Sequence, residues 1–505
     1  MNRIQNFPPV EKPARHPGVF LWALLLACCI VAVDNQSLWT DEAGTALIAR
    51  KPTFEEWFRQ LTFTHSSFRA SNIQMPLYMF GAWVYAKLFG TSEIALRAFN
   101  IPWFLAGAIA FIKSFSGKER SASLVVLMLS PFAWYYLGEA RPYAMELGGS
   151  LMVIAALRVM SRGMNAITHN WFVVFCLGLF CLGGSSLTGM IWVASALAMF
   201  VTLLGAYQSL SLIWRWPGVS AATIVSLLFL GVFYFWTLMS GARATTLAGT
   251  NWTNIGFALY ELAGFTGVGP GRLELRGTGV GALRHYLPWL LAYGMVLMLV
   301  AVTGVAAIIR LQNKRRLVIM GLCVFLPFAF LVGTGIVSHF RVLGRHLAPL
   351  EAVWLPCLAL GVAGLWFQAR AWKKGIVLLF VALSLVSCLS VRFAGRHARD
   401  DCRGAARLAQ THLTKGEMVW WSASDDCAEY YGLPLIRSPG GQKSALFLMN
   451  PGPDDIAKFP PPDLVFVSRP DTYDANGGLA NYLKSNNFIQ TGTLQSFTIW
   501  KRPKS

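Results

Sequence analysis

Apolar segments long enough to cross a lipid bilayer recur along this chain, and they constrain its fold more than any other feature. A spanning helix needs about 20 residues to cross ~30 Å of hydrocarbon. Because the bilayer core offers the backbone no hydrogen-bond partners, repeated runs of this kind indicate an all-α polytopic membrane protein. The composition agrees, since 55% of the 505 residues are hydrophobic and only 13% are charged, against about 25% charged residues in soluble proteins.

Eleven candidate spans alternate with short connections, several of them rich in Lys and Arg. The spans are 19–33, 98–113, 122–137, 143–160, 170–183, 188–207, 218–239, 286–310, 317–337, 347–368 and 375–392. With this count the basic connections, among them 113–120 and 310–316, share one side, which the positive-inside rule assigns to the cytoplasm. The apolar stretch 76–89 would break the alternation if it crossed as a twelfth span. We therefore expect it to lie in the outer interface as an amphipathic helix.

The polar tail, residues 395–505, is predicted to be a small soluble domain separate from the membrane domain of residues 1–394. Its segments alternate between helical and strand patterns, in the order 400–412, 418–422, 463–468, 477–485 and 488–500. Such alternation indicates an α/β unit. Charge in the tail is nearly balanced, so the net charge of +19 belongs to the membrane region and is not a nucleic-acid footprint. We expect a bacterial inner (plasma) membrane protein whose tail is periplasmic or extracellular.

Cysteine placement separates two residues from the rest. Seven of the nine cysteines lie in apolar runs, where cysteine acts as a small hydrophobic residue, and no metal-binding spacing is present. Cys402 and Cys427 stand in the polar tail. Because the compartment predicted for the tail is oxidising, we expect these two to form a disulfide.

Two adjacent acids, Asp41 and Glu42, follow the first span. Carboxylates in a first helical turn suit the helix dipole, with Thr40 as the N-cap, and this structural interpretation is one alternative. Paired carboxylates also suit a general base beside a partner for a cation or a sugar hydroxyl. The pair is therefore a candidate for chemistry.

Arginines appear in later connections that the topology places on the same outer side. Candidate residues are Glu139, Arg141 and Tyr143 in one connection, and Arg341, Arg345 and His346 in another. Arginine presents a planar fork that suits phosphate oxygens, whereas snorkelling anchors or a simple acid–arginine pair are the structural alternatives. A third connection, 240–285, is rich in Gly and Arg, which indicates a mobile loop that orders on a ligand. We expect the three polar stretches that carry Asp41, Glu139 and Arg345 to form one site.

Four ordered landmarks resemble those of bacterial GT-C glycosyltransferases. They are SLWTDEA, PLYMFGAWVYAKLFGTSEIALR, SPFAWYYLGEARPYAMEL and GRHLAPLEAVWLPCLAL, and they span roughly residues 20–370. The family comprises membrane enzymes that use polyprenyl-phosphate sugars and is related to protein O-mannosyltransferases and lipid A aminoarabinose transferases. The resemblance implies a GT-C fold of about 11–12 transmembrane helices.

The resemblance also implies roles for individual residues. Asp41 takes the proton of the acceptor, Glu42 assists, and Glu139 shapes the sugar or metal site. Arg141 and Arg345 hold the phosphate of the lipid carrier. The sequence departs from the family at two places. Many relatives have a His before the Pro-Leu-Tyr group and this chain does not, so the need for a divalent metal stays open. Arg345 is followed by His346, where the family usually has Tyr.

The resemblance, together with these residues, implies an inverting glycosyl transfer from a polyprenyl-phosphate sugar to a cell-envelope acceptor. The acceptor is a glycan, a lipid or a protein, and the sequence identifies neither it nor the sugar. A lipid-linked glycan flippase is the alternative from another class, and it requires charges near the bilayer midplane and symmetric halves. A non-catalytic glycan-binding protein is a further alternative. Convergence of Asp41, Glu139, Arg141 and Arg345 on one site discriminates between these functions.

Overall fold

Long apolar helices form most of the structure. This computed structural model describes residues 19–62, 69–240, 249–438 and 443–503. Within these ranges eight helices are long and apolar enough to cross a membrane, and two further apolar helices, Val19–Ala32 and His169–Ser185, are shorter. The expected class, a polytopic helical protein with a small C-terminal α/β domain, is confirmed.

The helices follow the order of the predicted spans, with short helices inserted between them. The first five are α1 (Val19–Ala32), α2 (Thr40–Ala49), α3 (Phe54–Thr62), α4 (Pro76–Phe89) and α5 (Glu93–Ala98). The next eight are α6 (Asn100–Lys113), α7 (Gly117–Met128), α8 (Pro131–Leu137), α9 (Tyr143–Met160), α10 (His169–Ser185), α11 (Leu187–Leu204), α12 (Ala206–Arg215) and α13 (Pro217–Met239). The last six of this region are α14 (Trp252–Leu262), α15 (Arg272–Thr278), α16 (Leu283–Leu311), α17 (Lys314–Val337), α18 (Ala348–Trp366) and α19 (Ala371–Phe393).

The segment expected as one span over 122–137 is divided into α7 and α8. The Oγ atom of Ser130 accepts a hydrogen bond from the backbone N of Ala133 at 3.1 Å and so caps α8. Pro131 is the first residue of α8 and has no N–H with which to continue α7. A serine cap followed by proline is a helix-start signal inside an otherwise uninterrupted apolar run.

A close contact between α6 and α9 positions α9, whose first residue is the candidate Tyr143. A Cβ atom on Gly107 would lie 2.3 Å from the carbonyl oxygen of Gly148. Only glycine allows the two backbones to approach this closely, as small residues do at interfaces between membrane helices.

Basic connections meet at one end of the bundle. Arg158 of α9 pairs with Glu119 of α7 at 2.9 Å, and Lys118 lies 4.7 Å from the ring centroid of Phe367. These contacts bring the connections after α6, α9 and α18 together. The opposite end carries α2 to α5, the connection between α8 and α9, and the polar tail. We call it the site end.

Helix α4 has the bounds of the segment predicted to lie in the interface. Before it, Asn72 accepts a hydrogen bond from Arg141 at 2.6 Å. After it, the hydroxyl of Tyr430 in the tail donates to the carbonyl of Thr91 at 2.7 Å. Both flanks of α4 therefore lie at the site end, as expected of a helix that runs across the bundle rather than through it.

The connection 240–285 is largely helical where the structure describes it. From residue 249 onward it contains α14, α15 and the first residues of α16. It carries two charged residues of the site, Glu261 and Arg272. The glycine density that indicated a mobile loop instead includes turns and close contacts, such as Gly264 with φ 79°.

The tail forms a six-stranded sheet flanked by short helices. Its strands are β1 (Val419–Ser422), β2 (Leu435–Ile436), β3 (Ala445–Phe447), β4 (Leu464–Ser468), β5 (Ile489–Leu494) and β6 (Phe497–Lys501). The strand order is β2-β3-β1-β4-β6-β5, with parallel pairing from β2 to β4 and antiparallel pairing at β6 and β5. Its helices are α20 (Cys402–Thr414), α21 (Asp425–Tyr430), α22 (Pro453–Ala457), α23 (Pro470–Tyr473) and α24 (Gly478–Ser485).

The tail shares a hydrophobic core with the membrane region. Leu38 and Ala43, at the start of α2, belong to the same buried cluster as Trp421 and Cys427 of the tail. The backbone N of Leu38 also donates to the hydroxyl of Tyr431 at 2.7 Å. Since burial of apolar surface stabilises by about 25 cal/mol per Å², this shared core fixes the tail against the site.

Candidate functional site

The site is organised around the first turn of α2. The helix begins at Thr40, and Trp39 rather than Thr40 is the N-cap residue. The carboxylate of Glu42 accepts a hydrogen bond from the backbone N of Trp39 at 3.4 Å. Glu42 therefore satisfies an end group of the helix, and capping accounts for one of the two adjacent acids but not for Asp41.

Asp41 points toward the arginine predicted to bind phosphate. Its Oδ2 atom accepts a hydrogen bond from Nη1 of Arg345 at 3.1 Å, and its side chain is 26% exposed. Burial acts to raise the pKa of Asp41, but the guanidinium groups of Arg141, Arg345 and Arg469 outweigh burial and hold the pKa below its ordinary value of 3.8. The carboxylate is thus charged at neutral pH and open to a ligand.

Arg141 is fixed at the same turn of α2. Its Nη1 atom donates to Asn72 Oδ1 at 2.6 Å, to the carbonyl of Asp41 at 3.2 Å and to Thr45 Oγ1 at 3.3 Å. These partners are all neutral, so its charge has no carboxylate within 4 Å among the described residues. Its buried Nε atom also has no hydrogen-bond partner there.

Aromatic rings surround the guanidinium of Arg345. Its Cζ atom lies 5.6 Å from the ring centroid of Tyr143 and 5.9 Å from that of Trp39. Its Nε atom, like that of Arg141, is buried and without a hydrogen-bond partner in the part of the chain that the structure describes. Arg345 therefore has a defined position and an unused donor.

Glu42 is fully buried and its two carboxylate oxygens are occupied. Oε1 accepts from the backbone N of Ala140 at 2.7 Å and from Nε of Arg97 at 2.9 Å, while Oε2 accepts from Nη2 of Arg97 at 2.6 Å. Burial alone would raise the pKa of Glu42, but Arg399 and Arg97 outweigh it and lower the pKa. Sequence reasoning did not select Arg97, whose side chain is 0% exposed.

Glu139 is also fully buried, but its bonding differs. Its Oε1 atom lies 3.5 Å from Nη1 of Arg272 and 3.5 Å from Nη1 of Arg399. Neither carboxylate oxygen makes a hydrogen bond within the described ranges. The two guanidinium groups compensate the charge of Glu139 without satisfying its lone pairs.

Arg341 and His346 lie in the connection that carries Arg345. This connection includes the 3₁₀ helix Gly344–Leu347. His346 accepts a hydrogen bond on Nδ1 from the backbone N of Leu343 at 3.0 Å, and its ring packs 4.7 Å from that of Phe340. The geometry therefore shows His346 shaping the turn that presents Arg345. Arg341, four residues before Arg345 in the chain, is half-buried.

The tail contributes two arginines that were not predicted from the sequence. Arg399 lies 3.5 Å from both Glu42 and Glu139 and donates to the carbonyl of Gly138 at 2.7 Å. Arg469 lies over Trp39, with 5.3 Å between its Cζ atom and the ring centroid, and pairs with Asp400. The available signal was the excess of arginine on the side that the charge rule keeps poor in Lys and Arg.

Among the described residues no group of three or more His, Cys, Asp or Glu is arranged to hold a metal ion. At Glu139, the acid that the family resemblance linked to a metal or sugar site, guanidinium groups occupy the positions a cation would take. The residues present here do not provide a divalent ion with a set of ligands. His65, the histidine nearest to the Pro-Leu-Tyr landmark, lies outside the described residues.

An apolar cavity of about 540 Å³ lies among α9, α11, α16, α17 and α18. Leu259 and Leu350 line it near the site end, and Arg158 and Gln312 line it near the basic end. Leu350 follows Arg345 by five residues in the sequence. The cavity therefore extends along the bundle from the first turn of α18, the helix that follows the connection carrying Arg345.

Solved structures show which fold this is. ArnT from Cupriavidus metallidurans in the apo state matches with a TM-score of 0.54 over 95% of this chain and 97% of that chain, at 13% sequence identity. ArnT from the same organism bound to undecaprenyl phosphate matches with a TM-score of 0.51 over 96% of this chain and 98% of that chain, at 14% identity. No family model and no curated protein sequence matches this chain. The likeness in structure shows that the chain has the fold of a GT-C membrane glycosyltransferase.

Proposed function

We propose that this protein is a glycosyltransferase that moves a sugar from a polyprenyl-phosphate donor to a cell-envelope acceptor. Asp41 is the general base, and Arg345 and Arg141 bind the donor phosphate beside Tyr143. Glu42 and Glu139 hold the arginines of the site in place. The acceptor binds on the outer face of the inner membrane, where we place the site end.

One observation carries this proposal: a partly exposed carboxylate and two incompletely bonded guanidinium groups meet at one turn. Arg345 binds the Asp41 carboxylate at 3.1 Å, and Arg141 binds the Asp41 carbonyl at 3.2 Å. Each arginine keeps a buried Nε–H group with no partner among the described residues. A buried donor without a partner costs about 1–3 kcal/mol, and a phosphate oxygen would satisfy it.

The apolar cavity supports a lipid-linked donor. Its volume of about 540 Å³ and its start at the first turn of α18, just after the connection that carries Arg345, suit isoprene units of a chain whose phosphate lies at the arginines. ArnT, which has the same fold, has been solved with undecaprenyl phosphate bound. A soluble nucleotide sugar would have no use for such a cavity.

The residues support a single displacement step. The acceptor hydroxyl attacks the anomeric carbon of the donor sugar, and its proton passes to the Asp41 carboxylate. The bond from the anomeric carbon to the phosphate oxygen breaks, and the lipid phosphate leaves with the negative charge. Arg345 and Arg141 stabilise that charge as it develops, which is how preorganised donors lower a barrier. The configuration at the anomeric carbon inverts.

Donor binding also activates the base in this scheme. Arg141, Arg345 and Arg469 together keep the pKa of Asp41 low, and Arg345 is the one of them that is hydrogen-bonded to its carboxylate. When the donor phosphate takes part of this interaction, the carboxylate loses a stabilising partner and becomes a stronger base. Proton abstraction is thereby linked to the presence of a donor.

The charge distribution favours this function over a flippase. Two further buried acids, Glu146 of α9 and Glu351 of α18, lie in the first turn of their helices, at the site end. Glu119 lies at the basic end, and the other acidic residues named in the bundle lie at or near the site end. A flippase would need charged groups spaced across the bilayer.

Envelope analysis of a deletion strain tests the proposal. We expect mass spectrometry of its glycans, lipids and glycoproteins to show the loss of one sugar residue and the accumulation of the polyprenyl-phosphate sugar. The wild-type gene should restore the sugar and the Asp41→Asn gene should not. An unchanged set of envelope sugars with no accumulated donor would contradict the proposal.

A further inference from the structure

A second cavity lies between the membrane region and the tail, and the function above does not use it. It has a volume of about 60 Å³. Since a water molecule requires about 10–15 Å³ of such space, the cavity has room for a phosphate or carboxylate group. Trp39 and Tyr135 form part of its wall, and it shares no lining residue with the apolar cavity.

Positive charge dominates this cavity. One carboxylate, that of Asp400, is present in the lining, and the five arginines in it are Arg272, Arg276, Arg396, Arg399 and Arg469. Arg396 is occupied with the carbonyls of Gly267 and Gly269, at 2.7 and 3.0 Å. Arg469 pairs with Asp400. Arg272 and Arg399 lie 3.5 Å from Glu139, behind the lining, so Arg276 and Arg396 are the arginines of the lining without a carboxylate partner among the described residues.

Two arginines of the lining have donors with no partner among the described residues. Arg276 is exposed and makes no hydrogen bond or ion pair in the described part of the chain. The buried Nε atom of Arg469 also has no hydrogen-bond partner there. Burial, with the neighbouring Arg396, lowers the pKa of His397 to about 4, so its ring is neutral at pH 7 and adds no positive charge to the cavity. Unused donors around a cationic cavity are what an anion would satisfy.

We propose that this cavity binds an anionic group, phosphate or carboxylate, of the acceptor glycan or lipid. The proposal rests on the proposed function, because it names the class of acceptor for that same site. Trp39 lines the cavity, and Asp41 lies two residues further along the chain. An acceptor anchored by its anionic group would present a neighbouring hydroxyl close to the base.

The donor phosphate is the competing occupant, and the structure favours the acceptor. The apolar cavity that suits the lipid chain lies within the bundle, with Leu350 of α18 in its lining, and its lining is separate. The arginine cavity includes tail residues from Arg396 to Asp400 and is reached from the outer surface past Arg276. A water-soluble group can enter there without passing through the bundle.

Binding of glucose 6-phosphate to the full-length protein in nanodiscs tests the proposal, with glucose as the neutral probe. We expect calorimetry to show binding of glucose 6-phosphate but not of glucose, and the affinity should fall as salt is added. Arg276→Ala should weaken this binding about tenfold, as expected for the loss of a charge-assisted hydrogen bond. Arg284→Ala is the matched control, because Arg284 is an exposed arginine of the same connection outside the cavity.

Undecaprenyl phosphate in the same nanodiscs distinguishes the two occupants. Arg345→Ala should weaken binding of this lipid, whereas Arg276→Ala should leave it unchanged. Equal loss of lipid binding in both variants would assign the cavity to the donor and overturn the proposal, as would unaltered glucose 6-phosphate binding in Arg276→Ala. If the wild-type protein fails to bind the lipid, the proposed function fails, while the glucose 6-phosphate result still decides whether the cavity is an anion site.

Discussion

Burial separates the roles of the two adjacent acids, Asp41 and Glu42. The Asp41 side chain is 26% exposed and has one charged hydrogen-bond partner, whereas Glu42 is 0% exposed and saturated. A group that accepts a proton from substrate must be within reach of it, and a buried carboxylate bonded to Arg97 and Ala140 is not. Only Asp41 has the accessibility that a general base needs.

Asp41→Asn should abolish transfer and leave the fold intact. The amide keeps the shape and can still accept a hydrogen bond from Arg345, but it cannot take up the proton. General-base catalysis contributes about 10²–10⁴-fold, so turnover should fall by that factor. Transfer from a polyprenyl-phosphate sugar by the purified variant measures it. Asp455→Asn is the control, because Asp455 is an exposed residue that pairs with Lys458. Turnover near the wild-type value in Asp41→Asn would remove Asp41 as the base.

Glu42→Gln should instead lower stability. It leaves Arg97, which is completely buried, with less negative charge beside it. Removing one partner of a buried ion pair typically costs 3–5 kcal/mol, and since glutamine keeps some of the hydrogen bonds we expect about 3 kcal/mol. Thermal unfolding of detergent-solubilised protein should show a clear drop in Tm for Glu42→Gln and little change for Asp41→Asn. The opposite order would exchange the two roles.

Helix positions follow from the sequence more closely than the breaks within them. Apolar run length predicts α9 at 143–160 because a spanning helix must be long and apolar, and the shorter apolar run at 76–89 predicts α4 as an interfacial helix. The interruption at Ser130 and Pro131 depends on a local cap that the apolar pattern hides. In the tail, the predicted strands β1 and β4 have strongly apolar sequences, whereas β2 has only two residues and gives almost no pattern.

Candidate site residues were predictable where they stand in short polar stretches between spans. Asp41, Arg141 and Arg345 are of this kind, and the structure joins them by hydrogen bonds around one turn. Arg97 and Arg399 were not predictable in this way, since an arginine near the end of a span has the same local sequence whether it anchors to lipid or pairs with a buried acid. The partner of each is distant in the chain, and only the fold reveals it.

Helices α20 and α21 bring two cysteines of the tail side by side. Cys402 and Cys427 are buried free thiols in this structure. The hydrogen bond between their side chains, together with burial, raises the pKa of Cys402. The Cys427 thiol also contacts the carbonyl of Leu38 at 3.7 Å, which is close to the start of α2. A bond between the two would therefore reinforce the contact between the tail and the site.

We predict that Cys402 and Cys427 form a disulfide in the native membrane. On the chain-entropy model, a closed loop of about 25 residues would stabilise the tail by roughly 3 kcal/mol. Peptide mapping without reduction should find the linked peptides, and Cys427→Ser should lower the Tm of protein kept under oxidising conditions. Reducing agent should lower the wild-type Tm and leave that of Cys427→Ser unchanged. Full alkylation of both cysteines without prior reduction would show that the bond is absent.

At the scale of the whole molecule, arginines occur at both ends but in different environments. At the basic end, Lys314, Arg315 and Lys374 are exposed. At the site end, Arg97 and Arg399 are largely buried against carboxylates. The positive-inside rule concerns uncompensated charge in short connections, so the paired arginines of the site end do not oppose the orientation that the exposed ones indicate.

The orientation itself can be tested with two matched probes. We predict that the basic end is cytoplasmic and that the tail and the site are outside, with α4 in the outer interface. Lys415 in the tail and Lys314 at the start of α17 are both exposed lysines, so each can be replaced by cysteine with little effect on packing.

A membrane-impermeant maleimide added to intact spheroplasts should label Lys415→Cys and miss Lys314→Cys, because only the first probe faces the reagent. After permeabilisation both should be labelled, and the unsubstituted protein reports the background from its own cysteines. Labelling of Lys314→Cys but not Lys415→Cys in intact spheroplasts would reverse the molecule in the membrane, and would place Asp41 and its arginines on the cytoplasmic side.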